Sequence, residues 1–373
     1  MKAATLAKLE SLARPFSTRL PPRAVVRKYS EGRLDFLTKL GEETPSEFYS
    51  PPEEFSRELW GIRFRGPVMN AAGMFKNGEC YEMTAKQGAA GYIGGTGTWN
   101  SRHGNEKDGI YLPFAPYARS HAASNWLGLP NDGDHANSER ARTMKRVADC
   151  PIGWSVAGPP DLQGEEMLRR LVTGMRLYES AGVDFLEMNE SCPNTGQGTP
   201  NYDELGTRLR YVKDNFLDIR TRRLPVIVKF SVDTELPQVP SLMDMLFELG
   251  FDGVNFGNTS TQYARRRATI HPDERKLYDF YTIGDFGVGG GVSGRPLKED
   301  SLALAGRAVE YFKAGPPSQE FHVIRTGGVE SWRDVEQSER AGVSLNQWYT
   351  GYFEMFAKHG HGVYRKLLAG AAR

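Results

Sequence analysis

Asparagines, glycines and single reactive residues recur in short motifs whose types suit the binding of a flat, polar, anionic molecule. The motifs begin with Asn70-Ala71-Ala72-Gly73-Met74-Phe75-Lys76, Gly94-Gly95-Thr96-Gly97-Thr98, Ser124-Asn125-Trp126-Leu127-Gly128-Leu129-Pro130-Asn131 and Met188-Asn189-Glu190-Ser191-Cys192-Pro193-Asn194-Thr195. They continue with Lys229, Asn258-Thr259, Gly289-Gly290-Gly291-Val292-Ser293-Gly294, Thr326-Gly327-Gly328 and Tyr349-Thr350. Glycine lets backbone N–H groups approach phosphate oxygens with no Cβ in the way. Asparagine offers donors and acceptors without charge, so it matches an imide or carboxylate edge. Singly, each motif has a plainer reading. A Gly-Gly pair is usually a turn. An asparagine after a strand is usually a cap or turn former. A lysine at a strand end is usually a solvated charge, and a lone cysteine is more often a small buried hydrophobe than a nucleophile or base. Their shared position in the fold decides between the readings.

That position comes from the elements around them. Apolar runs rich in strand formers occur at 68–72, 91–96, 152–157, 183–188, 225–230, 253–257, 321–326 and 345–350. Stretches of helical period lie at 77–86, 138–148, 162–181, 202–220, 242–249, 302–313, 332–339 and 353–368. Eight strands alternating with eight helices predict an α/β fold, a closed (β/α)₈ TIM barrel rather than an open doubly wound sheet. Most motifs then fall at the C-terminal strand ends, where barrel enzymes carry their chemistry and where phosphate commonly binds after the seventh and eighth strands. The longest interruptions, 99–137 and 260–299, follow strands and are predicted to be enlarged active-site loops.

Composition bounds the partners. The 373 residues carry a net charge of +1, without the basic excess of a nucleic-acid binder. Mean hydropathy is −0.51, and no apolar run approaches the roughly 18 residues of a spanning helix. Cys80, Cys150 and Cys192 form no CxxC pair or disulfide framework, which predicts a reducing, cytoplasmic setting and no metal site. Within the first forty residues nine Lys or Arg face only Glu10, Glu31 and Asp35. Leu6, Leu9, Leu12, Ala13 and Phe16 recur there at helical spacing before Pro21-Pro22. A short basic amphipathic helix followed by a linker is expected, either packed on the main domain, lying on a membrane surface or serving in targeting. Residues 1–59 are thus read as an N-terminal basic extension and 60–373 as the barrel.

At these motifs the chain resembles the dihydroorotate dehydrogenase family of FMN-dependent barrels, from about Trp60 to the C-terminus. Phe64-Arg65-Gly66-Pro67-Val68-Met69-Asn70-Ala71-Ala72-Gly73, with Lys76-Asn77-Gly78-Glu79, is similar to the family's opening motif, and the later motifs follow in family order. The resemblance implies FMN-dependent oxidation of dihydroorotate to orotate in pyrimidine biosynthesis. It implies that Cys192 is the base at carbon 5 and that Lys229 lies beside the flavin N1–O2 edge. Lys76, Asn125, Asn189, Asn194, Asn258 and Thr259 are implied to hold substrate. Ala71, Ala72, Thr96, Gly291, Gly327, Gly328, Tyr349 and Thr350 are implied to cradle FMN. Two other readings stay open: the same chemistry on another dihydropyrimidine, and a flavin-binding relative without turnover.

The subclass is mixed. A cysteine base is typical of soluble class 1 members, whereas the Ala-Ala-Gly-x-x-Lys motif resembles membrane-linked class 2. Arg325 stands where glycine is common beside the FMN phosphate, either as an added cationic contact or with its side chain pointing away. Fumarate, quinone, or NAD through a partner protein remain alternative acceptors. The extension looks poor in the aromatic and aliphatic residues that a quinone tunnel needs. Peripheral membrane contact through the N-terminus and homodimer formation are further expectations.

Overall fold

The computed structural model describes residues 1–190 and 202–371. Eight parallel strands surround a common axis: β1 (Val68–Asn70), β2 (Tyr92–Gly97), β3 (Ile152–Val156), β4 (Phe185–Asn189), β5 (Val226–Phe230), β6 (Gly253–Phe256), β7 (His322–Thr326) and β8 (Leu345–Trp348). Ladders join them in the order β1-β8-β7-β6-β5-β4-β3-β2. At the remaining junction β1 meets β2 through the Ala90 N–H donating to Val68 O at 2.9 Å and through the Asn70 side chain. The predicted barrel is therefore present, nearly closed, with each strand within a few residues of its expected place.

The helices between strands follow their apolar spacing. In Gly164–Ala181, Leu168, Leu171, Val172, Met175 and Tyr178 are buried, the i, i+3, i+4, i+7 stripe of a helix packed on a sheet. The N-terminal end of the barrel is plugged by an antiparallel hairpin, Arg57–Leu59 with Ile62–Phe64. Its turn residues Trp60 and Gly61 both have positive φ, as a two-residue hairpin turn requires. Trp60 donates its indole N–H to Asp252 O at 2.9 Å and packs with Phe64, Met69, Ile93, Phe185 and Ile227. This apolar floor leaves the opposite end for polar chemistry.

At that end the two long interruptions carry more structure than loops. Phe114–Tyr117, Ala122–Asn125 and Gly291–Gly294 form a three-stranded antiparallel sheet that ties the insertions together. Helices Tyr263–Thr269 and Arg275–Thr282 complete the second insertion. Its arginine triplet is engaged in ion pairs: Arg265 and Arg266 with Asp300, Arg266 also with Asp233, and Arg267 with Asp279.

The N-terminus departs from expectation. Helix α1 spans Ala3–Ser17, and the expected linker is instead a second helix, α2, spanning Pro22–Gly41. Pro22 occupies the first helical turn, where its missing N–H costs nothing and its fixed φ favours a helix start. The Pro-Pro pair thus separates two helices rather than ending helical structure. Val25, Val26 and Tyr29 of α2 pack with Tyr117, Tyr278 and Tyr281, while Arg14 of α1 pairs with Glu354.

Candidate active site

A cavity of about 1090 Å³, counted to its open mouth, lies at the C-terminal ends of the strands. Of the residues singled out from sequence, Ala71, Ala72, Lys76, Thr96, Asn125, Asn189, Lys229, Asn258, Thr259, Gly327, Gly328, Tyr349 and Thr350 line it. Gly291 stands behind the wall, paired with Asn125 in the small sheet. A Cβ there would fall 1.8 Å from Thr259 Oγ1, so only glycine lets this sheet approach Thr259. Cys192 and Asn194 lie outside the described residues.

The polar wall is a chain of side chains from successive strand ends. Asn189 donates to Thr96 Oγ1 at 3.1 Å, and Asn258 donates to Asn189 Oδ1 at 3.4 Å. Asn258 Oδ1 accepts the Thr259 N–H at 2.9 Å, and Thr96 shares a 2.9 Å hydrogen bond with Ser155. Lys76 folds back over Gly73, where a Cβ would stand 3.3 Å from its Nζ.

Beneath this wall lies a buried network that sequence reasoning missed. Glu187 is fully buried and accepts from Lys229 Nζ at 3.2 Å, Asn255 Nδ2 at 2.8 Å and Gln347 Nε2 at 2.7 Å. Lys229 also donates to Gln347 Oε1 at 3.1 Å, and the Thr326 hydroxyl lies 2.9 Å from both Asn255 Oδ1 and Gln347 Oε1, with one O–H to give to either. The available signal was parity. Glu187 precedes Asn189 by two residues, so both point to the same face of β4.

The end of the cavity after β7 and β8 has the character of an anion cradle. Gly327 and Gly328 have φ of 125° and 70°, and a Cβ on Gly328 would come within 2.5 Å of Lys298 Cα. Thr350 begins the helix Thr350–His359 at the same rim, an arrangement that presents N–H groups and a positive dipole end. Nearby, Glu330 is held by Arg295 at 2.9 Å and Lys298 at 3.0 Å. Burial opposes its ionisation, but hydrogen bonds from His121, Lys298 and Arg295 prevail and bring its carboxyl down to about 2. Arg325 does not enter the cavity. It is buried behind the cradle and donates to Ser301 Oγ at 3.0 Å, Ser338 Oγ at 2.9 Å and Lys298 O at 2.7 Å. Burial pulls its guanidinium down to about 10 against the pull of Asp334.

A second cavity, about 1520 Å³, runs between α1, α2, the helix Thr350–His359 and the small sheet. Leu6, Ala13, Tyr29, Phe36, Leu37 and Phe353 line it. It meets the first cavity at Phe114, Tyr349, Thr350 and Glu354, and Arg33 donates to the Tyr349 hydroxyl there at 3.0 Å. The extension therefore lines a largely apolar cavity that its composition had not suggested. The side chains come from two helices and the barrel rim together. Among the described residues no helix is long and apolar enough to cross a membrane, and no cluster of His, Cys, Asp and Glu could hold a metal ion.

Three comparisons bear on this geometry. The family model described as dihydroorotate dehydrogenase matches residues 55–368. A protein of Streptomyces griseus named dihydroorotate dehydrogenase (quinone) is 28% identical over 325 residues, covering 86% of this chain and 82% of the relative. A protein of the same name from Mycolicibacterium smegmatis is 30% identical over 309 residues, covering 81% and 78%. The solved structure of an Eimeria tenella DHODH in complex with ferulenol superposes with a TM-score of 0.75 at 22% identity, covering 91% of this chain and 90% of that one. That likeness supports the barrel fold.

Proposed function

Because the chain belongs to the dihydroorotate dehydrogenase family, we propose that the strand-end cavity holds FMN and dihydroorotate side by side. The protein is an oxidoreductase acting on the CH–CH bond of dihydroorotate, in pyrimidine biosynthesis. Family members are flavoproteins. FMN as the particular flavin is supported by the glycine cradle after β7 and β8, which suits a single phosphate. In this reading residues 60–373 form the catalytic barrel and residues 1–59 the extension, whose helices α1 and α2 flank the cavity mouth while its last residues, Arg57–Leu59, join the hairpin at the barrel floor.

The residues divide the work. Thr326, Gly327, Gly328, Tyr349 and Thr350 hold the phosphate side, and Ala71, Ala72 and Thr96 leave room for a flat ring. Gly291 acts from behind, through its contact with Thr259. Lys76, Asn125, Asn189, Asn194, Asn258 and Thr259 orient orotate's carboxylate and ring amides, which fixes the face presented to the flavin. Cys192 takes the proton from carbon 5; a free thiol, with a pKa near 8.5, is partly ionised around neutral pH. FMN held there would supply the acceptor for the hydride of carbon 6, and Lys229 would hold a positive charge against the ring's N1–O2 edge.

For the acceptor, the observation with most weight is the apolar cavity that meets the flavin cavity beside Tyr349. Its size and lining suit a quinone, in line with the relatives' names. Leu9, which lines this cavity, and Leu12, Phe16 and Leu20 of the α1 region are exposed, interspersed with Lys8 and Arg19. That face suits contact with an anionic bilayer surface from which a quinone enters.

The test is anaerobic. Purified protein should be yellow and should bleach on adding dihydroorotate, and a short-chain quinone should restore the colour. Colour without bleaching would reject dihydroorotate. Reoxidation by fumarate but not by quinone would reject the acceptor.

A further inference from the structure

Glu187 does not line the cavity, whereas Lys229 does, and the two form the most deeply buried charge pair at the site. The two side chains are 0% and 3% exposed. The ammonium has three N–H donors, and Glu187 and Gln347 take two of them. Glu187 in turn is fixed by Asn255 and Gln347. Those amides arise from strands on the far side of the pair: Asn255 sits opposite Lys229 in the β5–β6 register, and Gln347 opposite Thr326 in the β7–β8 register. Taking a carboxylate out of water is costly unless it is paired and hydrogen-bonded. A lysine alone would have met the need for a cation at the cavity floor.

We propose that Glu187 is a positioning residue that acts through Lys229 to set the flavin's reduction potential. This rests on the reading of the cavity as a flavin site. Its carboxylate holds the ammonium in one place beneath the ring. It also offsets the cation, so the ring meets a dipole rather than a full positive charge. A bare cation in a low-dielectric floor would stabilise the reduced, negatively charged flavin strongly and hold back its electrons from the acceptor. The offset keeps the reduced flavin a competent donor. The facing groups from β6, β7 and β8 (Asn255, Thr326 and Gln347) are uncharged, so Glu187 is their sole charged partner for Lys229 among the described residues.

The experiment measures the potential of bound FMN by anaerobic titration against a reference dye at pH 6, with FMN content read from absorbance. Glu187→Gln should keep FMN and make the potential more positive, whereas Lys229→Met should make it more negative. In the Lys229→Met background, Glu187→Gln should cause a much smaller shift, because the carboxylate then has no ammonium to place or offset. Should the Gln variant lose FMN, Glu187→Asp tests the same point. Its shorter side chain loosens the pair and should move the potential in the same direction by less. An unchanged potential in an FMN-loaded Glu187 variant overturns the proposal, as does an equal shift with Lys229 absent. A wild-type protein without FMN, or a Lys229→Met potential equal to wild type, instead overturns the flavin reading, and the proposal with it.

Discussion

Asn70 and Ile93 complete the barrel wall where strand pairing stops. The Asn70 Nδ2 donates to Ile93 O at 2.7 Å, and the Ile93 N–H donates to Asn70 Oδ1 at 3.2 Å. A side-chain amide thus performs the exchange that a neighbouring backbone performs at the other junctions. A polar group left unpaired in a buried site costs about 1–3 kcal/mol. Asn70→Ala should therefore lower the melting midpoint by several degrees and weaken FMN retention, since Ala71 and Ala72 follow directly. A melting curve and flavin content matching wild type would show that the seam needs no side-chain closure.

Asp134 gives the fold a pH-dependent weakness. Burial pushes its carboxyl up to about 7, against the hydrogen bond from Tyr178 at 2.9 Å. The folded protein thus binds this proton more tightly than the unfolded chain does. Between about pH 4 and 7 the native state holds more protons, so the contribution is full at acid pH and is lost as pH rises through 7. Asp134→Asn keeps an acceptor for Tyr178 but removes the titration. The variant should gain melting temperature over wild type at pH 8 relative to the same difference at pH 5. A difference independent of pH would count against this assignment.

Arg325 should matter to the cofactor without touching it. It orients Ser301, whose hydroxyl donates to Gly327 O at 2.7 Å, and it holds the Lys298 carbonyl beside Gly328. Arg325→Leu should leave buried acceptors unpaired, lower stability and raise the dissociation constant for FMN. KM for dihydroorotate, measured at saturating FMN, should stay close to wild type. A rise confined to that KM would place Arg325 on the substrate side.

Cys192 is tested through turnover, since a positioned base contributes roughly 10²–10⁴-fold. Cys192→Ala should retain yellow colour and orotate binding while losing activity in that range. Cys192→Ser should keep part of the activity with a more alkaline optimum, because a hydroxyl is a weaker acid than a thiol. Near-wild-type turnover in the alanine variant would remove Cys192 from the reaction.

Alternating apolar runs and helical stripes make the barrel legible in the sequence, because strand and helix periods are local properties of the chain. The rim was legible for the same reason. Once eight strands are placed, Thr96, Asn189, Lys229 and Asn258 must share one end. Single residues within loops and partners across strands were not. Pro21-Pro22 reads from the sequence as a break before a linker, whereas a helix starts at Pro22 and packs against Tyr278 and Tyr281. Arg325 had two directions open to it, and the pocket formed by Ser301, Ser338 and Lys298 O drew it outward. Glu187 looked like an ordinary strand residue until β4, β5, β6 and β8 met around it. Which residues form strands and which strand ends face one way follow from short-range pattern. Which buried charge meets which, and what roofs the cavity, depend on contacts between residues far apart in the chain, and those only the tertiary structure decides.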